Sequence, residues 1–259
     1  MSKFGTSLLV PSVEEIAKQP SIQVPKQYLQ PNQDPIDVSN TTSLQQVPII
    51  DLSKLLSEDS FELEKLDHAC KEWGFFQLIN HGVNPSLVDN VKIGVKEFLS
   101  LPMEVKKKFW QTPEDIEGFG QLFVVSEDQK LEWADLFFTT TLPSYARNPR
   151  LFPNIPQPFS LGIIIALPQM VVQILTNGIY RSIEHRATVN SKKERISIAA
   201  FHRPQMSNVI GPTPSLVTSE RTALFKTVTV QDYYKAFFSR QLQGKSCLDV
   251  MRIQNENSK

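Results

Sequence analysis

The stretch Asn177-Gly178-Ile179-Tyr180-Arg181-Ser182-Ile183-Glu184-His185-Arg186, followed by Arg195-Ile196-Ser197, decides how this chain of 259 residues is read. Residues Ser182 to Val189 and Arg195 to His202 each have the length and β-branched content of a strand. The polar joint Asn190-Ser191-Lys192-Lys193-Glu194 has hairpin length. Side chains alternate across a strand. Ile183, His185, Ala187 and Val189 therefore share one face of the first strand, and the apolar company of His185 predicts that it points inward. In the second strand Arg195, Ser197, Ala199 and Phe201 share a face, so the guanidinium of Arg195 and the hydroxyl of Ser197 project from one side.

An imidazole beside a guanidinium and a hydroxyl suits one task. The imidazole can hold a metal, while Arg and Ser hold a distant carboxylate through charge-assisted hydrogen bonds. A dicarboxylic ligand chelating the metal at one end would span the two. Taken by periodicity alone, one inward histidine is more often a hydrogen-bonded core residue than a ligand, and Arg195 can equally be a solvated strand start.

Working outward, Pro20 to Gln46 is rich in Pro, Gln, Asn and Ser and reads as part of an irregular leader that ends at residue 46. Val47 to Leu52 reads as a short strand, and Pro48, which cannot donate to a ladder, places it at an edge or at a strand start. Leu63, Leu66, Cys70 and Trp73 recur at helical spacing, and Gly74 stands where a helix wants a residue of positive φ. Phe75 to Ile79 reads as a buried strand. Asn84-Pro85 opens a helix with the stripe Leu87, Val88, Val91, Val95 and Phe98, and another short helix starts at Leu101-Pro102-Met103-Glu104. Trp133 to Leu142 reads as a strand. Pro143, Pro149, Pro153, Pro156 and Pro158 then mark a long surface crossing. Trp73, Phe75, Phe76, Val91, Phe98, Trp133, Phe137 and Phe138 are the candidate core of the N-terminal part, and the tail 254–259 is polar.

Composition excludes several classes of function. The chain carries 27 basic and 27 acidic residues, so no electrostatic field invites nucleic acid. The runs Lys106-Lys107-Lys108 and Lys192-Lys193 are short and read as solvated faces sooner than as phosphate sites. Two distant cysteines, Cys70 and Cys247, make neither a zinc motif nor a disulfide framework. The first residues lack the pattern of a secretory signal, and the apolar stretch Leu161 to Ile174 is interrupted by Pro168 and falls short of the ~20 residues a bilayer requires. The expectation is a cytoplasmic protein with no membrane partner.

The quoted stretch around His185, with Arg195-Ile196-Ser197 after it, closely resembles the plant Fe(II)/2-oxoglutarate-dependent oxygenases. The resemblance extends upstream to Cys70-Lys71-Glu72-Trp73-Gly74-Phe75-Phe76-Gln77-Leu78-Ile79-Asn80-His81-Gly82, to Glu117-Gly118-Phe119-Gly120, and to Ser126 through Asp135. It is strongest toward the branch of senescence-related, alkaloid O-demethylase and norcoclaurine-synthase-like proteins. It implies an α+β fold: a mixed helix and strand region over residues 47–160, then a double-stranded β-helix, or jelly roll, left incomplete over residues 161–253. It implies Fe(II) and 2-oxoglutarate as cofactors and a small plant metabolite as substrate. It matches His185 to the distal iron-ligand histidine, and Arg195 and Ser197 to the pair that grips the far carboxylate of 2-oxoglutarate. Asn80-His81-Gly82 matches a structural segment, so His81 is not expected to be a ligand.

The other half of the family's iron site is absent. That site takes two histidines and a carboxylate, two of them supplied by a His-x-Asp pair upstream of the distal histidine. Here the residues two positions after His68, His81, His185 and His202 are Cys70, Val83, Ala187 and Pro204. The resemblance stops near Phe159 and resumes near Ile174, as though an internal block were gone. The expectation is a family member that does not turn over. The alternatives are a working oxygenase with a carboxylate and a second histidine recruited from elsewhere, and a non-catalytic binding or interaction protein built on the N-terminal region.

Overall fold

The computed structural model describes residues 7–19, 23–29, 46–112, 114–121, 124–151, 169–183, 185, 189–190, 193, 195–202, 204–238 and 246–253. Its first element is helix α1 (Val13–Ala17). The N-terminal region continues with strand β1 (Ile49–Asp51), helices α2 (Leu52–Leu56) and α3 (Ser60–His68), and strand β2 (Gln77–Ile79). Next come α4 (Pro85–Leu99), α5 (Met103–Lys106), β3 (Gly118–Gly120) and β4 (Leu136–Phe138). The C-terminal third holds α6 (Gln169–Leu175), β5 (Val209–Ile210), β6 (Val228–Thr229), α7 (Val230–Phe238) and α8 (Ser246–Met251).

Local chemistry sets the helix boundaries. The carboxylate of Asp51 accepts from the Ser53 N–H and caps α2, and Asp59 accepts from the Glu62 N–H to cap α3. Helix α3 widens into a π turn over Ala69–Trp73 and stops at Gly74, whose φ of 71° is the left-handed value that the sequence predicts there. Asn84 caps α4 through the Ser86 N–H, with Pro85 in the first turn, again as its sequence requires. The predicted stripe on α4 turns Val91 and Phe98 fully inward.

The described strands form three two-stranded sheets. β1 and β2 are parallel, with Ile50 opposite Leu78, while β3–β4 and β5–β6 are antiparallel. Around them lie three separate cores. Val13, Ile16, Tyr28, Val124 and Leu131 make the first, with Trp133 set edge-on against Tyr28 at 5.1 Å. Phe98, Phe109, Phe119 and Leu151 make the second, with Phe137 edge-on to Phe98 at 4.9 Å. The third lies wholly C-terminal and joins Val171, Ile174, Ile210, Phe225, Val230, Tyr233, Leu248 and Met251.

Four expectations are corrected. Residues Arg195 to His202 form no strand among the described residues, while residues 184 and 186–188 of the expected partner strand Ser182 to Val189 lie outside the described residues. β2 is exposed throughout rather than buried: among the described residues it pairs with β1 alone, and nothing described covers its outer face. The strand expected over Trp133 to Leu142 shortens to Leu136–Phe138, the three residues that pair with β3. The leader is not irregular throughout, since α1 (Val13–Ala17) precedes its Pro-rich part, of which residues 20–22 and 30–45 lie outside the described residues. Asp135 accepts from the Ser12 hydroxyl at 2.6 Å and from the N–H groups of Val13 and Glu14, so it caps α1 from 121 or more residues away. The proline-rich crossing is pinned at least to Leu151, where Arg150 donates to the carbonyls of Trp110 and Glu117. The stretch Leu161 to Pro168 lies outside the described residues.

Candidate functional site

Helix α6 and the turn after it place the segment that leads to His185. The Gly178 N–H donates to the Gln173 carbonyl at 2.8 Å, and Gln173 Oε1 accepts from the Ser182 N–H at 2.8 Å. Asn177 adopts a φ of 49° and is buried, and its amide serves both sides of a loop: it donates to the Thr222 carbonyl and accepts from the Leu224 N–H. An asparagine tolerates that conformation better than most residues because its short amide bonds locally. Asn177, Gly178 and Ile179 line a shallow cleft of about 320 Å³ with Arg221, Thr222 and Leu224.

The same segment docks on the end of α3. The Arg181 N–H donates to the Cys70 carbonyl at 3.1 Å, and the Tyr180 hydroxyl donates to Asp67 Oδ1 at 3.1 Å. Asp67 also accepts from Lys71 at 2.6 Å, and this bond with that of Tyr180 holds its carboxyl below the usual aspartate range. Burial raises the Cys70 thiol above its usual value, and burial with the Asp67 bond raises the Tyr180 phenol. Gly74 meets the segment so closely that a Cβ there would lie 2.5 Å from the Arg181 carbonyl oxygen. Sequence reasoning assigned Gly74 to the helix end and missed this second duty. Its spacing to Arg181 carries no local signal.

Beyond Ser182 the expected site is not assembled. His185 is exposed, which corrects the inward placement predicted from alternation; alternation assigns a face, and no described layer covers the face His185 is on. Its Nδ1 lies 3.2 Å from the Ile183 carbonyl oxygen, which accepts when that nitrogen carries a proton. Arg195 and Ser197 are exposed too. Glu184, Arg186 and Ala187 lie outside the described residues. His68, His81 and His202 are all exposed, and the His81 Nδ1 accepts from the Val83 N–H, in keeping with a structural role. Among the described residues no three His, Cys, Asp or Glu side chains gather closely enough to hold a metal ion. No described helix is long and apolar enough to cross a membrane.

The fold around this half-site defines a class. Residues 47–155 match the N-terminal model of the non-haem dioxygenases of morphine synthesis, and residues 150–204 match the model of the 2OG-Fe(II) oxygenase superfamily. The chain belongs to the plant 2-oxoglutarate/Fe(II)-dependent oxygenases, enzymes whose cofactors are iron and 2-oxoglutarate. It is 38% identical to Protein SRG1 of Arabidopsis thaliana, over 96% of this chain and 98% of that protein. It is 38% identical to oxoglutarate-dependent flavonoid 7-O-demethylase 1 of Ocimum basilicum, over 97% and 93%. It is 35% identical to codeine O-demethylase of Papaver somniferum, over 97% and 98%. The crystal structure of JOX2 in complex with 2OG, Fe and JA superposes with a TM-score of 0.79 at 23% identity, covering 96% of this chain and 100% of that one, and establishes the fold.

The alignment to SRG1 is 349 positions long yet takes in 96% of a chain of 259 residues. About 100 of its positions therefore have no counterpart here. The residues present do not fit the family's iron: His185 has no second histidine and no carboxylate among its described neighbours. A single exposed imidazole competes poorly with water for a divalent ion, and affinity in such sites comes from ligand number and geometry.

Proposed function

We propose that this chain is a catalytically silent member of its family, derived from enzymes that oxidise, hydroxylate or O-demethylate a small plant metabolite. The observation that carries the reading is the isolation of His185 among the described residues. The absence of any His-x-Asp in the sequence supports it independently. Arg195 and Ser197 remain as the pair matched to the far carboxylate of 2-oxoglutarate. Both stand in water here, where a guanidinium–carboxylate pair is worth about 1 kcal/mol or less. That is too little to retain a free 2-oxoacid.

The names of the relatives point to flavonoid and alkaloid ethers for those proteins. The small-metabolite class comes to this chain by that kinship. The deciding experiment is an anaerobic titration of the purified chain with Fe(II) and 2-oxoglutarate, followed by a succinate assay against a panel of methoxylated flavonoids and alkaloids. The expected result is neither iron-dependent 2-oxoglutarate binding nor succinate. Micromolar binding of both cofactors would sink the reading.

A second reading, a binding or interaction protein built on the N-terminal region, is favoured by the two cores there, whose described members all lie at or before Leu151.

A further inference from the structure

Residues 7–17 lie against the first core and are held at three points. At one end the Leu8 N–H donates to the Val124 carbonyl at 2.8 Å, and the Ser7 hydroxyl donates to the Gln121 carbonyl while accepting from the Val124 N–H. In the middle Asp135 accepts from the Ser12 hydroxyl and from the N–H groups of Val13 and Glu14. At the third point Glu14 pairs with Lys106, a fully buried ammonium that also donates to the Leu99 carbonyl at 2.9 Å. Val13 and Ile16 pack between these points on Tyr28, Val124 and Leu131. We infer that residues 7–17 are a strap that opens as one unit, ahead of global unfolding, and that Lys106 is the amine this opening uncovers for chemical modification.

Three observations make the strap a unit. No residue of it belongs to the second or the third core, so its release leaves both packed. Its helix, α1, has five residues, well below the ~12–15 at which an isolated helix begins to hold in water. Off its floor α1 therefore melts, and the segment is either docked and folded or released and melted. The third observation is where the charges go. Breaking a buried pair is costly when one partner stays behind in the interior. Opening returns Glu14 and Lys106 to water together, and Asp135 with the donors it caps is wetted in the same event. What opening loses is chiefly the burial of Val13 and Ile16, and a local opening of that size lies below the free energy of global unfolding. Lys107 and Lys108, next in the chain, are exposed and serve as internal references for an amine that is not gated.

Neither iron nor 2-oxoglutarate enters the test, which takes the full chain and follows hydrogen exchange beside acetylation by N-hydroxysuccinimidyl acetate. In that labelling the free amine attacks the ester carbonyl, N-hydroxysuccinimide leaves, and the proton of the ammonium passes to solvent. The amides of Leu8, Ile16 and Val124 are expected to exchange through one shared opening. The Leu131 amide, which donates to the Gln27 carbonyl, and the amides of α4 should stay protected through it. Lys106 should be acetylated more slowly than Lys107 and Lys108, by the factor that the strap amides report for that opening. Ile16→Ser weakens the apolar hold and should speed both the strap amides and Lys106 by one common factor, roughly 10- to 100-fold, with Lys107 and Lys108 unchanged. The agreement of the two opening constants in the parent chain is a test in itself, even where the variant fails to fold. Strap amides that exchange only together with those of α4 would overturn the inference. So would Lys106 reacting as fast as its neighbours in the parent chain, or a rate at Lys106 indifferent to Ile16→Ser in a folded variant.

Discussion

The backbone N–H of Arg181 donates to the carbonyl of Cys70 at 3.1 Å, and through this bond the part of the chain after the break is tied to the part before it. The bond closes a helix end that Gly74 has already turned, with Tyr180 and Asp67 beside it.

Gly74→Ala is the sharpest probe of that tie. The new Cβ would meet the Arg181 carbonyl oxygen at 2.5 Å, on a backbone whose φ is 71°. Both effects act in one direction, and together they should cost about 2–3 kcal/mol, since left-handed strain and a backbone clash add. Hydrogen exchange should show the Arg181 amide losing protection, while the amides of α4 keep theirs.

Asp135 is expected to hold α1 in place. Its carboxylate accepts from Ser12, Val13 and Glu14, so Asp135→Ala removes the cap and leaves these donors to water. A loss of about 1–2 kcal/mol follows from the worth of a helix cap. Limited proteolysis should cut ahead of Tyr28 faster in the variant than in the parent chain. Asp135→Asn, which keeps an acceptor, should restore part of the difference.

Lys106 is fully buried, bonded to Glu14 and to the Leu99 carbonyl, with its ammonium 5.4 Å from the centre of the Phe119 ring. Breaking a buried pair by removing one partner is costly, whereas replacing it by a well-packed apolar group is often nearly neutral. Glu14→Ala should therefore destabilise by about 2–3 kcal/mol, at the lower end of the usual cost because Glu14 is 38% exposed. The double variant Glu14→Ala with Lys106→Met should recover most of that loss in urea denaturation.

Acid should weaken the N-terminal region. Burial alone would raise the Glu14 carboxyl, but hydrogen bonds from Lys106 and Lys18 outweigh it and hold the group below the usual glutamate value. The Ser53 bond lowers Asp51, the Asp51 N–H lowers Glu62, and the Lys71 bond lowers Asp67. A carboxyl depressed on folding contributes stability that is complete above its unfolded value, about 4, and is lost as pH falls through the folded value. Melting temperature should thus be flat from pH 7 to about pH 5 and fall below that. A melting temperature that rises on acidification would refute the assignment.

His185→Ala should leave metal content unchanged. In a complete facial triad, removal of one histidine strips the iron. Here the ring is exposed and stands alone among the described residues, so parent and variant should carry the same trace of iron by elemental analysis.

Local elements were legible where the chemistry is local. The caps at Asn84 and Gly74, the stripe ending at Phe98 and the pairing-competent run at Ile49 follow from neighbours a few residues apart. The family was legible because its motifs survive on both sides of the break. What the sequence could not convey are relationships carried across distance. Asp135 on α1 and Arg181 on Cys70 are joined only by folding. The inward histidine failed for the same reason in reverse: alternation assigns a face, but a face becomes an interior only when another layer lies over it. No such layer lies over His185 among the described residues.

The third core, from Val171 to Met251, shares no residue with the two that precede the break. A cooperative transition requires that each part lose its packing when its neighbour does. Among the described residues it meets the rest at Cys70 and Gly74, and this bundle should absorb heat in its own step. A calorimetric trace would then resolve two peaks, and the ratio of van't Hoff to calorimetric enthalpy would fall below unity.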